Sequence, residues 1–179
     1  GVITYSSGNH AIAVAHAARR AGTGAVVVMP KTAPALKLER VRGLGAEVHL
    51  AGTTSLERKE RAEALQKERG LAMVPPFDHP WIIAGQSACG VEILAQMPDA
   101  GTVLVPVGGG GLISGVALAC AYHRAGIRVI GVEPEGAAKM SASLRAGAPV
   151  TLPSARSIAD GLVPSRPGDL TFAIVRSFV

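Results

Sequence analysis

Four successive glycines, Gly108, Gly109, Gly110 and Gly111, follow the apolar run Val103-Leu-Val-Pro-Val107 and precede Leu112-Ile-Ser-Gly115. A chain without Cβ atoms turns tightly there and can bring its backbone N–H groups against an anion, with the positive end of the following helix dipole behind them. The chemistry this predicts is capture of a phosphate group. Two other readings stay open on these residues. One is a strand-to-helix turn without a ligand; the other is a dinucleotide site in which Glu133, after the run Val129-Ile-Gly-Val132, meets a ribose. Against the latter, Ser114 stands where the third glycine of a Gly-x-Gly-x-x-Gly motif belongs.

A second turn of chemical interest is Ser6-Ser-Gly-Asn-His10, followed by the Ala-rich stretch Ala11-Ile-Ala-Val-Ala15. Hydroxyls, an amide and free N–H groups crowd one helix start, which suits a carboxylate. The alternative is ordinary capping, with Ser6, Ser7 or Asn9 as N-cap and His10 a surface residue of the first turn. A ligand carrying both a phosphate and a carboxylate accounts for both turns.

The elements that position these turns alternate along the chain. Apolar runs predict strands at 1–4, 25–29, 46–50, 71–74, 102–105 and 128–132, and helical patterns fall at 9–21, 33–43, 55–69, 85–96, 111–124 and 137–146. Strand and helix in alternation mean an α/β fold built on parallel strands. The proline-rich segment Val74-Pro-Pro-Phe-Asp-His-Pro80 interrupts the pattern and marks a domain boundary, giving domains 1–78 and 79–179.

A chain of 179 residues with 48% hydrophobic but 3% aromatic content builds its core from Ala, Val, Leu and Ile. The net charge of +5 comes from 18 basic against 13 acidic residues dispersed along helical segments, with no aromatic interleaving, which argues against a nucleic-acid surface. Apolar runs are too short for a membrane span, and no basic leader opens the chain, so neither a membrane partner nor a signal peptide is expected. Cys89 and Cys120 lack metal-ligand or redox spacing and read as reduced thiols packed as small hydrophobes in a cytoplasmic protein.

Taken in order, Ser6-Ser-Gly-Asn-His10, Ile83-Ala-Gly-Gln86, Pro106-Val-Gly-Gly-Gly-Gly-Leu112, Gly131-Val-Glu-Pro134 and Ile158-Ala-Asp-Gly161 resemble the threonine dehydratase and serine racemase group of fold-type II pyridoxal-phosphate enzymes. The resemblance runs from Gly1 to Val179. It implies a tryptophan synthase β-like fold with parallel or mixed sheets, helices on both faces, and two open α/β domains, the larger one incomplete here. It implies pyridoxal 5′-phosphate as cofactor, L-threonine or L-serine as substrate, a homo-oligomer, and β-elimination of the hydroxyl to give a 2-oxo acid and ammonia. The ending Asp160-Gly-Leu-Val-Pro-Ser-Arg-Pro-Gly-Asp-Leu-Thr171 leans toward the dehydratases. A serine racemase and a non-catalytic ligand-binding module are the alternatives.

By the same resemblance, Gly108 to Gly111 with Leu112 hold the cofactor phosphate, Asn9 contacts the pyridoxal 3′-oxygen, and Gly161 lies by the pyridine ring. Ser6, Ser7, Gly8, Asn9 and His10 surround the substrate carboxylate, and Ser7 falls where the racemase has its hydroxyl acid/base. Arg58 matches an arginine that pairs with the substrate carboxylate, against the alternative of a helix-surface arginine. The resemblance also implies a divalent cation held by the Glu133 carboxylate, the Ala137 carbonyl and an acid at position 139. Lys139 stands there instead; an ammonium repels a hard cation, and Glu135 could substitute only by a loop change, which argues against Mg²⁺ or Ca²⁺, the alternative being that Lys139 is a built-in cation paired with Glu133. The Schiff-base lysine of the group lies in a Ser-x-Lys segment upstream of the serine loop, and none of Lys31, Lys37, Lys59, Lys67 or Lys139 matches it. The expectation is a fragment of a parent enzyme that does not catalyse alone.

Overall fold

A strand buried on both faces needs helices over both, and β2 (Ala25–Met29) is buried at all five positions. Alternate side chains of β2 enter different clusters. Ala25, Val27 and Met29 pack with Ala11, Ala15 and Ala18 of α1 (Asn9–Arg20) and Val41 of α2 (Ala35–Gly43). Val26 and Val28 pack with Ile3, and with Ala62 and Leu65 of α3 (Ser55–Arg69) on the other side. The computed structural model describes residues 1–124 and 126–179, which divide into the units Gly1–Pro76 and Phe77–Val179.

Among the described residues the first unit carries a four-stranded parallel sheet, with β2 between β1 (Val2–Tyr5) and β3 (Glu47–Leu50), and β4 (Ala72–Met73) beyond β1. Val2 lies beside Ala25 and Val26 beside Glu47, so the strand ends that lead into the loops are in step. Helix α3 starts with a capping box: Thr54 Oγ1 accepts from Glu57 N at 3.3 Å, and the Glu57 carboxylate accepts from Thr54 N at 2.8 Å. The bond from Thr54 N, with those from Thr53 N and Thr54 Oγ1, pulls the Glu57 carboxyl down to about 2.

In the second unit β5 (Thr102–Pro106) pairs in parallel with β6 (Arg128–Val132), Thr102 beside Arg128. Val103, Val105, Val107 and Val129 pack with Ile113, Val116 and Cys120 of α5 (Gly111–His123) and with Phe172 and Val175 of α7 (Asp169–Phe178). Helix α4 (Pro80–Gln96) crosses α5 closely, because a Cβ on Gly115 would come within 2.6 Å of the Gln86 and Ser87 backbone. Helix α6 (Lys139–Ala146) follows a 3-10 turn at Glu135–Ala137, and a second such turn spans Asp160–Leu162.

Four sequence expectations change. Helix α4 starts at Pro80 and not at residue 85: proline suits a first helical position, and His79 Nδ1 accepts from Trp81 N at 3.2 Å. Helix α7 was not anticipated at all. Phe77 and Asp78 belong with the second unit: the Phe77 ring lies against Gly109, and the Asp78 carboxylate accepts from Asp169 N and Thr171 N of α7. Cys120 is buried in the core, where burial raises its thiol, whereas Cys89 is exposed. Among the described residues no helix is long and apolar enough to cross a membrane.

Candidate functional site

The glycine turn is built to present N–H groups. Gly109, Gly110 and Gly111 are buried, and Gly110, at φ +103°, stands at the N-cap of α5 with no side chain capping the helix. A residue with a Cβ is strained at that φ, and its Cβ would meet Thr171 at 2.7 Å. The Phe77 ring occupies the space that a Gly109 side chain would need. The carbonyl side of the turn is tied down: Gly109 O accepts from Thr171 Oγ1 at 2.7 Å and from Gly168 N at 3.2 Å. Thr171 is itself fixed, because Asp78 accepts from Thr171 N at 3.1 Å and from Asp169 N at 3.0 Å. With its carbonyls engaged from behind and its helix start uncapped, the turn keeps backbone donors for an anion.

Gly161 is brought against the same turn. Its carbonyl would be 2.9 Å from a Cβ on Gly108, so the two backbones approach closely. Leu112, on the first turn of α5, is partly buried against the core.

In the first unit, Gly8 is the N-cap of α1 and no side chain caps that helix. Ordinary capping by Ser6, Ser7 or Asn9 is therefore not what these residues do. Ser6 Oγ instead accepts from Gly8 N at 3.3 Å, Ser7 is half-buried and Asn9 is exposed. His10 Nε2 donates to Val74 O at 3.3 Å, and burial lowers its pKa, so the ring is held toward the neutral form with Nδ1 as acceptor. A Cβ on Gly8 would meet the Lys37 side chain, Nζ included, at 3.0 Å. Lys37, which the sequence offered only as a lysine outside the Schiff-base motif, has its amine beside the serine turn.

Arg58 is 8% exposed, which removes the surface-arginine alternative. Its guanidinium donates to Thr53 O at 3.3 Å and Ser55 Oγ at 3.0 Å, while Nε is buried without a partner. Burial lowers its pKa and the neighbouring Glu57 opposes that.

At the implied cation site the donor set does not fit a divalent metal, because Lys139 Nζ sits among the oxygens. It lies 3.2 Å from Glu133 Oε1 and donates to Val107 O at 2.7 Å, Leu162 O at 3.1 Å and Ala137 O at 3.2 Å. Lys139 is fully buried, and burial lowers its pKa against the opposing pull of Glu133. Glu133 has a second task that the sequence did not reveal: it caps α6, Oε1 accepting from Met140 N at 2.9 Å and Oε2 from Ser141 N and Oγ at 2.8 Å each. Among the described residues no cluster of three His, Cys, Asp or Glu side chains forms.

Residues 1–179 match the family described as pyridoxal-phosphate dependent enzyme. The chain is 45% identical over 179 residues to an L-threonine ammonia-lyase of Thermotoga maritima, covering 100% of this chain and 45% of that one. It is 43% identical to a serine racemase of Oryza sativa subsp. indica, covering all of this chain and 52% of that protein. The structure superimposes on maize serine racemase with a TM-score of 0.95 at 42% identity, covering 100% of this chain and 54% of the other. The chain thus spans about half the length of the curated relatives it matches.

Proposed function

Because the chain belongs to the pyridoxal-phosphate-dependent enzyme family, we propose that the protein carrying residues 1–179 is a threonine or serine ammonia-lyase, removing the Cα proton and β-hydroxyl to yield a 2-oxo acid and ammonia. The observation that carries this reading is the buried, uncapped glycine turn with the Gly109 carbonyl tied back to Thr171 and Gly168. Its donors fit the cofactor phosphate. When bound, pyridoxal phosphate supplies the sink for the electron pair left at Cα.

In this reading the N–H groups of Gly108 to Leu112 bind the phosphate, Gly161 flanks the ring with its backbone, and the Asn9 amide meets the 3′-oxygen. Ser6, Ser7, Gly8 and His10 hold the substrate carboxylate and so orient the Cα–H bond; orientation decides which bond breaks. Lys37, beside Gly8, adds positive charge to that loop. The buried guanidinium of Arg58, with Nε unpaired, supports a part in carboxylate binding over a solvated surface role. A cytoplasmic location and a homo-oligomer complete the reading.

The test uses the longest natural polypeptide containing residues 1–179. A visible chromophore bleached by borohydride, a lysine adduct found by peptide mapping, and ammonia released from L-threonine or L-serine are expected. Absence of both chromophore and ammonia release refutes the proposal.

The half-buried Ser7, which caps no helix, favours a second reading, serine racemase, in which its hydroxyl exchanges a proton at Cα. Ser7→Ala then abolishes racemisation and leaves much of the β-elimination; equal loss of both rejects that role.

A further inference from the structure

The ammonium of Lys139 lies at the meeting point of three segments that reach the glycine turn. Val107, the residue before Gly108, is held at both ends: its N–H donates to Val132 O at 2.9 Å and its carbonyl accepts from Lys139 Nζ at 2.7 Å. Leu162, whose carbonyl accepts from the same nitrogen, follows Gly161, whose own carbonyl lies against Gly108. The third anchor is α6, which starts at Lys139 and is capped by the carboxylate that faces the ammonium. The oxygen distances of 2.7 to 3.2 Å suit N–H···O bonds. They are too long for Mg²⁺, at about 2.0–2.1 Å, or Ca²⁺, at about 2.3–2.6 Å. Three ammonium protons meet three carbonyls, and the carboxylate offsets the buried charge.

We propose that Lys139 is a positioning residue for the phosphate site, a tethered cation that holds the entrance of the glycine turn and the Asp160–Leu162 turn in one geometry and takes the place of a divalent metal ion. A covalently attached ammonium cannot dissociate, so the geometry of the turn is independent of free metal. The inference rests on the glycine turn being the phosphate site.

The test uses the full natural polypeptide, stripped of cofactor, and reads Kd by absorbance titration for pyridoxal phosphate and for pyridoxal, which lacks the phosphate. Lys139→Ala is expected to weaken pyridoxal phosphate by about 10- to 100-fold, the scale seen when a supporting partner of a bound group is removed, with a smaller change for pyridoxal. An affinity within about twofold of wild type, or equal losses for both ligands, overturns the proposal. Should the variant fail to fold, the wild type decides: affinity unchanged by exhaustive chelation and by added magnesium or calcium supports the tethered cation, and a divalent-dependent change overturns it. A wild type that binds neither ligand overturns the phosphate reading itself, an outcome separate from failure of Lys139.

Discussion

The two glycine-bearing turns that open α1 and α5 share a plan and differ in how they are held. Each leaves a parallel strand and enters a helix whose start no side chain caps. The glycine turn is gripped by residues distant in sequence: the Phe77 ring, Thr171 on Gly109 O, and Lys139 on Val107 O. The serine turn is held by lighter ties, Ser6 Oγ on Gly8 N and His10 on Val74 O, and Asn9 stays exposed. A turn braced from behind suits a group that binds once and stays. A turn carrying its own hydroxyls on light ties suits a substrate that must enter, reorient and leave.

Matched alanine substitutions break or sharpen that contrast. Gly109→Ala forces a methyl into the Phe77 ring, and overpacking of this kind costs about 1–3 kcal/mol or more. The larger effect is on binding: displacement of the turn is expected to abolish capture of pyridoxal phosphate in a borohydride assay while circular dichroism retains the helices. Normal cofactor content in Gly109→Ala means that the turn is not braced as described.

Gly8→Ala meets something softer. Its new methyl would lie 3.0 Å from the flexible end of the Lys37 side chain and not from backbone, and φ there is −175°, outside the left-handed region. Stability should change by less than about 0.5 kcal/mol, as for substitutions away from rigid packing. Cofactor affinity should hold, while KM for the amino acid rises because the loop is shifted. A loss of cofactor as large as that in Gly109→Ala erases the distinction between the turns.

What the sequence made legible follows the same divide between local and distant causes. Strands β2 and β6 and helix α3 fall at the residues their own patterns indicate, because an apolar run and a helical pattern are written locally. Both turns were also visible, since glycine runs and clustered hydroxyls are local signals. Helix α7 was not, because the groups that fix its start are the Asp78 oxygens some 91 residues earlier and a proline-glycine pair reads as a loop. Pro80 read as a break although it opens α4. Glu133 and Lys139 were legible as a charge pair, but the three carbonyls around the ammonium come from backbone that no residue type advertises. Arg58 carries a surface-like pattern among Glu57 and Glu60, and burial of α3 against β1 and β2 overrides it.

The smallest predicted effect tests whether the light ties of the serine turn matter. His10 is held toward its neutral form because burial penalises the imidazolium more than the bond to Val74 O favours it. A pKa lowered in the folded state means that the unfolded chain takes up the proton first as pH falls. The stability linked to His10 is therefore complete above the ordinary imidazole pKa, near 6.5, and is lost as pH drops through the lower folded value. Melting curves across that window should show a decline in wild type that His10→Gln flattens, since an amide can still donate to Val74 O but does not titrate. Because Val74 follows β4 at the end of the first unit, the decline should be seen as local exchange of the serine-loop amides before it is seen in global melting. An identical pH profile in the two proteins would show that the ring is not the brace of this turn.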